Sequence, residues 1–189
     1  MSKLYFRYGA MNSGKTTILL QTIHNYESNG YKIILLKPSI DTKGDDKIVS
    51  RLGIERKVDY LIDKDKNLKE LSLKNIKCIF VDEAQFLTED QVLDLWRISK
   101  KDNIPVICYG LRTKYDGRSF TGSKRLMELA DEMEEIYTIC KCGKKAKFNA
   151  RFVNDKIVKE GNDVVIDNNA KVVYKPLCGR CFLKEFYNE

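Results

Sequence analysis

The octapeptide Gly9-Ala10-Met11-Asn12-Ser13-Gly14-Lys15-Thr16 satisfies G-x-x-x-x-G-K-[ST] at every fixed position. It stands between an apolar run, LYFRY (4–8), that reads as a strand, and a stretch from Lys15 to Asn29 with helical spacing through Ile18, Leu19, Thr22, Ile23 and Tyr26. Strand, glycine-rich turn, helix is the context in which such a loop holds phosphate. Glycine lets the backbone curl until successive N–H groups converge on oxygens at the positive end of the helix dipole. Lys15 then supplies charge to the β- and γ-phosphates, and the Thr16 hydroxyl is a Mg²⁺ ligand. A glycine turn that merely capped a helix would leave Lys15-Thr16 unexplained.

Working outward, the chain to about residue 139 alternates short apolar runs with amphipathic stretches, the pattern of an α/β fold with a parallel sheet. KIILLKP (32–38), CIFVD (78–82) and IPVICYG (104–110) read as strands. Gly30 is a C-terminal helix stop. Thr88-Glu89-Asp90-Gln91 is a capping box that opens a helix through Val92, Leu93, Leu95, Trp96 and Ile98, and SKRLMELAD (123–131) reads as a further helix. Arg7 makes the first strand less apolar than a central parallel strand should be. Residues 41–57 and 110–122 are long polar connections of the kind that carry function. The strand CIFVD ends on Asp82-Glu83. Asp82 is placed to hold Mg²⁺. Glu83 can take a proton from water, which describes an ATPase, or from a substrate hydroxyl, which describes a kinase.

From residue 140 the character changes to cysteines, lysines and short β-prone runs, so the expected division is a nucleotide-binding core at 1–139 and a small lobe at 140–189. Cys140-Lys141-Cys142 and Cys178-Gly179-Arg180-Cys181 form two close pairs, which read as a Cys₄ structural zinc site. The C-x-C pair is one residue shorter than the usual spacing. Cys78 and Cys108 lie inside apolar runs and read as core residues.

Composition sets the outer limits. The 189 residues are 43% hydrophobic and 32% charged, which excludes collagen-like, mucin-like and disordered classes. No apolar run approaches the roughly 20 residues of a membrane span, and MSKLYFRYG lacks a signal-peptide core. A cytoplasmic protein without a membrane partner is expected. The single histidine, His24, falls on an amphipathic helix, so a histidine-rich metal hydrolase is excluded. Of the net charge of +7, residues 140–189 carry +5, from 11 Lys and Arg against 6 Asp and Glu. That bias suits an anionic partner, nucleic acid or nucleotide phosphate, and equally a solvated lysine-rich face.

Taken together these residues resemble the zinc-containing type of thymidine kinase. Beyond the phosphate loop, Val81-Asp82-Glu83-Ala84-Gln85-Phe86 is similar to that family's VDE[AG]QF motif, and Tyr109-Gly110-Leu111-Arg112-Thr113 with Phe120 to its nucleoside-pocket loop. The resemblance spans nearly the whole chain. It implies a RecA-like P-loop sheet, a zinc lobe with a lasso loop over the nucleoside, and transfer of the ATP γ-phosphate to the 5′-hydroxyl of thymidine or deoxyuridine. Glu83 would be the base. Gln85, Phe86, Leu111, Tyr115, Phe120, Arg151, Val165, Ile166, Asp167, Asn168 and Tyr174 would form the nucleoside site, with Tyr115 where the family often has Phe and Asp167-Asn168-Asn169 where it has a glycine turn. It also implies a homotetramer, feedback inhibition by thymidine triphosphate, and no nucleic-acid partner. A nucleic-acid-stimulated ATPase is the alternative, since Asp-Glu after a strand marks such motors too; a zinc-bearing nucleotide-binding regulator without chemistry is a third reading.

Overall fold

The computed structural model describes residues 1–41, 46–161 and 172–189. Strand β1 (Leu4–Tyr8) leads through the glycine loop into α1 (Lys15–Ser28) and on to β2 (Lys32–Pro38). A short antiparallel hairpin, β3 (Lys47–Val49) with β4 (Glu55–Lys57), occupies what the sequence showed only as polar connection, and the brief strand β5 (Tyr60–Ile62) follows it. Then follow β6 (Ile76–Val81), α2 (Glu89–Lys101), β7 (Val106–Gly110), α3 (Thr121–Leu129) and β8 (Glu132–Glu135). The C-terminal part contributes β9 (Phe148–Val153), β10 (Lys156–Ile157), β11 (Val172–Leu177) and the single turn α4 (Gly179–Phe182).

The principal sheet is six-stranded and parallel, in the order β5-β2-β6-β7-β1-β8. From β1 the chain crosses to β2 toward one edge; from β6 through β7 to β8 it steps toward the other. Right-handed crossovers in opposite directions put α1 on one face and α2 and α3 on the opposite one. Side-chain alternation matches. Leu4, Phe6, Ile34, Leu36, Ile79, Val81, Val106 and Cys108 pack with Val92, Leu95, Ile98 and Leu126. Ile33, Leu35, Cys78, Phe80, Ile107 and Tyr109 face Leu19, Leu20 and Ile23 of α1.

Arg7 is accommodated because β1 lies next to the edge strand β8. Its guanidinium donates to Tyr109 Oη at 2.7 Å and pairs with Glu134 at 2.9 Å. The capping box forms as read, with Gln91 N–H donating to Thr88 Oγ1 at 3.2 Å and Thr88 N–H to Gln91 Oε1 at 3.1 Å. α3 stops two residues short of the expected end: Ala130 is extended, and Asp131 delivers the chain to β8, whose N–H anchor is the bond from Asp131 to the Leu4 carbonyl at 2.9 Å. His24 is solvent-exposed on α1. Beyond residue 139 a three-stranded sheet, β10-β9-β11, has its own core of Cys140, Ala146, Ala150, Phe152, Leu177, Cys178, Phe182 and Phe186, joined by Tyr115 from the connection after β7. Among the described residues no helix is long and apolar enough to cross a membrane.

Candidate active site

Because β1, β2, β6 and β7 are parallel neighbours, their carboxyl ends open on one edge of the sheet, where α/β proteins bind ligands. The phosphate loop follows β1 there. Gly14 has φ +81° and caps α1 in the left-handed region. At Gly9 the demand is proximity: a Cβ would lie 2.5 Å from Ser13 Oγ and 2.6 Å from the Ile136 carbonyl. Both invariant glycines of the motif thus have a physical cause. Lys15 is buried; its ammonium donates to the Ala10 carbonyl at 3.0 Å and the Gly9 carbonyl at 3.3 Å. Gly9 N–H donates to the Gly110 carbonyl at 3.3 Å, which ties the loop to the end of β7.

Two strands away, β6 ends on Asp82 and Glu83. Asp82 is buried, its backbone N–H bonds the Leu36 carbonyl at 3.0 Å, and the Thr16 hydroxyl reaches its carboxylate at 3.5 Å. Burial first, then the neighbouring charges of Glu83 and Asp41, push the Asp82 carboxyl up to about 7 against the opposing pull of Lys15. A divalent cation at Thr16 and Asp82 would favour the ionised form. Asp41 itself pairs with the buried ammonium of Lys37 at 3.2 Å.

Glu83 sits in left-handed backbone, φ 50° and ψ 37°, and opens a 3₁₀ turn over Ala84–Phe86. For a side chain with a Cβ that conformation costs about 1–3 kcal/mol, and here it carries the carboxylate round into the cavity beside the phosphate loop. The Gln85 side-chain amide, 2% exposed, bridges two parts of the site: its Nε2 donates to the Glu83 carboxylate, and its Oε1 accepts the Leu111 N–H at 3.0 Å. A cavity of about 460 Å³ is lined by Met11 to Ile18, Val49, Arg51, Leu52, Glu83 and Leu111.

The remaining expected nucleoside residues fall into two groups. Phe86 and Phe120 meet edge to face at 5.6 Å between ring centres, next to the Glu83 turn. Tyr115, Arg151 and Tyr174 belong to the lobe side: Arg151 stacks its guanidinium 3.8 Å over the Tyr115 ring, and Tyr174 lies opposite Arg151 in the β9–β11 register. The Tyr115 hydroxyl donates to the Gly161 carbonyl at 2.7 Å. Val165, Ile166, Asp167 and Asn168 lie outside the described residues. Asn149 was not anticipated. Buried in β9, it accepts the Met11 N–H at 2.7 Å and donates to the Thr113 carbonyl at 3.3 Å, so one amide joins phosphate loop, lobe and the connection after β7. A polar residue in the run FNARFV carries no signal of that partner. Arg51 was missed too, although it falls in a connection marked as functional.

The four lobe cysteines bring their Sγ atoms within 4.8 Å of one another, with Cys142 and Cys178 at 3.5 Å. A tetrahedral thiolate site with bonds of about 2.3 Å needs sulfurs roughly 3.8 Å apart, so the donor set could hold a metal ion. The short C-x-C pair is brought round by a turn in which Gly143, at φ +82°, donates its N–H to the Cys140 carbonyl at 2.8 Å. Burial opposes ionisation of Cys140, but the N–H groups of Cys142 and Cys178 together with the Cys142 and Cys181 side chains bring the thiol down to about 7.

A parallel sheet with this loop after its first strand and paired carboxylates after β6 defines a P-loop nucleotide-binding protein equipped for phosphoryl transfer. The profile of the thymidine kinase family matches residues 2–182. A thymidine kinase of Chromobacterium violaceum is 47% identical over 96% of this chain and 98% of its own length. One from Francisella tularensis is 46% identical over 90% and 89%, and that of enterobacteria phage T4 is 43% identical over 94% of each. The chain belongs to the thymidine kinase family.

Proposed function

We propose that the chain transfers the γ-phosphoryl group of ATP to the 5′-hydroxyl of thymidine, and of deoxyuridine, giving the nucleoside monophosphate and ADP. The observation that supports this most directly is the Glu83 carboxylate lining the same cavity as the phosphate loop, braced by Gln85 against the Leu111 segment. In this reading Glu83 takes the hydroxyl proton as the 5′-oxygen forms its bond to phosphorus, and the bond to the β-phosphate oxygen breaks to release ADP. Lys15 and the α1 N-terminus hold the triphosphate. Thr16 and Asp82 would hold Mg²⁺, which neutralises phosphate charge when bound. Cys140, Cys142, Cys178 and Cys181 would hold zinc as a structural staple. The core at 1–139 binds nucleotide, and the lobe at 140–189 covers the nucleoside and keeps water from the phosphoryl group. Membership of the family is the support for a homotetramer, for feedback by thymidine triphosphate and for a cytoplasmic location.

The test is ADP release from Mg-ATP measured in parallel with no acceptor, thymidine, deoxycytidine and single-stranded DNA. Release that requires thymidine and is abolished in Glu83→Gln is expected. Release stimulated by DNA and indifferent to thymidine would overturn the assignment.

A further inference from the structure

The first half of the phosphate loop is a tight turn. Ser13 N–H donates to the Ala10 carbonyl at 3.3 Å, so Met11 and Asn12 form its corner, and Asn12 takes φ +69°. Glycine or asparagine adopts that left-handed third position most readily, and asparagine does so at some cost. The turn does not rest on its own bond alone. Its two outward backbone groups are each gripped from beyond β8. The buried Asn149 side chain accepts the Met11 N–H at 2.7 Å, and the Thr138 hydroxyl donates to the Asn12 carbonyl at 3.4 Å.

Both grips are anchored in the cysteine-bearing part of the chain. Ala146 N–H donates to the Thr138 carbonyl at 2.9 Å. Along β9 alternate side chains part. Ala150 and Phe152 enter the core shared with Cys140 and Cys178, whereas Asn149 and Arg151 point to the phosphate loop and the connection after β7. An amide buried in a strand is costly unless its groups find partners. Asn149 finds one at each end, since its Nδ2 donates to the Thr113 carbonyl at 3.3 Å. An apolar side chain would suit the same burial; what the amide adds is a fixed Met11.

We propose that Asn149 is a positioning residue for the phosphate donor. It acts through backbone: with Thr138 it holds the Met11-Asn12 corner in the conformer from which the following amides, Ser13 to Thr16, converge on phosphate. Donor affinity therefore depends on β9, a strand that contributes nothing to the principal sheet. The inference rests on the reading of this loop as the donor site and is independent of the acceptor. A loop in its binding conformer only a tenth of the time binds about tenfold more weakly.

The experiment compares Asn149→Leu, Thr138→Val and Phe152→Leu, the last trimming the opposite face of β9. Each is read by calorimetric titration with Mg-ADP, by amide hydrogen exchange and by a thermal melt. Asn149→Leu is expected to weaken Mg-ADP about tenfold and to speed exchange at Met11 to Gly14 more than in β11, and Thr138→Val to weaken it about threefold. Phe152→Leu lowers the melting temperature yet keeps Mg-ADP within about twofold of the parent, beneath the tenfold step of 1.4 kcal/mol. An Asn149→Leu protein that binds within twofold of the parent overturns the proposal. So does a Phe152→Leu protein weakened as much as Asn149→Leu, which would make the effect general damage to the β9 sheet. Should Asn149→Leu fail to fold, Thr138→Val decides: parental affinity there overturns the proposal, and threefold weakening upholds it. A parent protein that does not bind Mg-ADP refutes the donor-site reading itself, whereas a parent that binds with variants that match it refutes only the role of Asn149.

Discussion

Replacing Gln85 by Leu keeps the volume of a nearly fully buried side chain but removes both ends of the bridge between the base and the nucleoside loop. On one side the Glu83 carboxylate loses a donor; a hydrogen bond to a charged group is worth about 1.5–3 kcal/mol. If that bond is what holds the carboxylate in its reactive orientation, the same energy appears in the barrier, and kcat falls about 10- to 150-fold. On the other side the Leu111 N–H is left without its acceptor, at about 1–3 kcal/mol of folding stability. For a chain of this size each kcal/mol lowers Tm by about 2–4 °C. Steady-state kinetics with thymidine varied, together with a thermal melt, read both effects. A double-mutant comparison with Glu83→Gln separates positioning from general damage: when Gln85 acts through Glu83, adding Gln85→Leu to Glu83→Gln costs little further activity. Two results would refute the reasoning. One is a raised KM for thymidine at unchanged kcat, which would make Gln85 a substrate contact alone; the other is losses that add in the double variant.

Gly122 of α3 presses on the turn that carries the base: a Cβ there would lie 2.7 Å from the Ala84 and Leu87 carbonyls and 2.9 Å from that of Gln85. Gly122→Ala should therefore lower stability by about 1–3 kcal/mol through forced backbone shifts despite alanine's better helix propensity, and a melt at or above the parent's would show that the approach is looser. Cys178→Ser, or prolonged chelation, should release close to one zinc per chain and expose the β9–β11 amides to hydrogen exchange, whereas full metal content with unchanged protection would remove the structural site. Asp131, though partly buried, is held below the usual carboxylate range by Lys100 and by the Leu4 N–H. A depressed folded pKa stabilises above the unfolded value of about 4 and is lost as pH falls through the folded one. Asp131→Asn should cost about 1 kcal/mol or less at pH 7 and nothing near pH 2, so a denaturant-melt difference that persists in acid would contradict it.

The phosphate loop, the Asp82-Glu83 pair, the capping box at Thr88 and the four-cysteine set were all legible in the sequence, because each rests on residues close in the chain or on a donor set that admits few alternatives. Gly14 must be glycine for its backbone angle and Lys15 must follow it at the helix start; neither needs knowledge of the rest of the molecule. The tertiary structure decided what lies further apart. The hairpin was hidden because Lys47–Lys57 is mostly charged and polar, and its two buried anchors, Ile48 and Val58, show no period. Strand β8 was hidden because Glu132–Glu135 at a sheet edge needs no apolar alternation. The first strand was read correctly, but Arg7 made it less apolar than a central parallel strand should be, and only the partners Glu134 and Tyr109 explain the charge there. The place of Arg51 in the cavity lining and the hydrogen bonds of Asn149 with Met11 and of Gln85 with both Glu83 and Leu111 arise only once the crossovers have set β1, β6 and β7 side by side. Short-range backbone chemistry is written in adjacent residues; which distant side chains meet is settled by sheet order and the direction of each crossover.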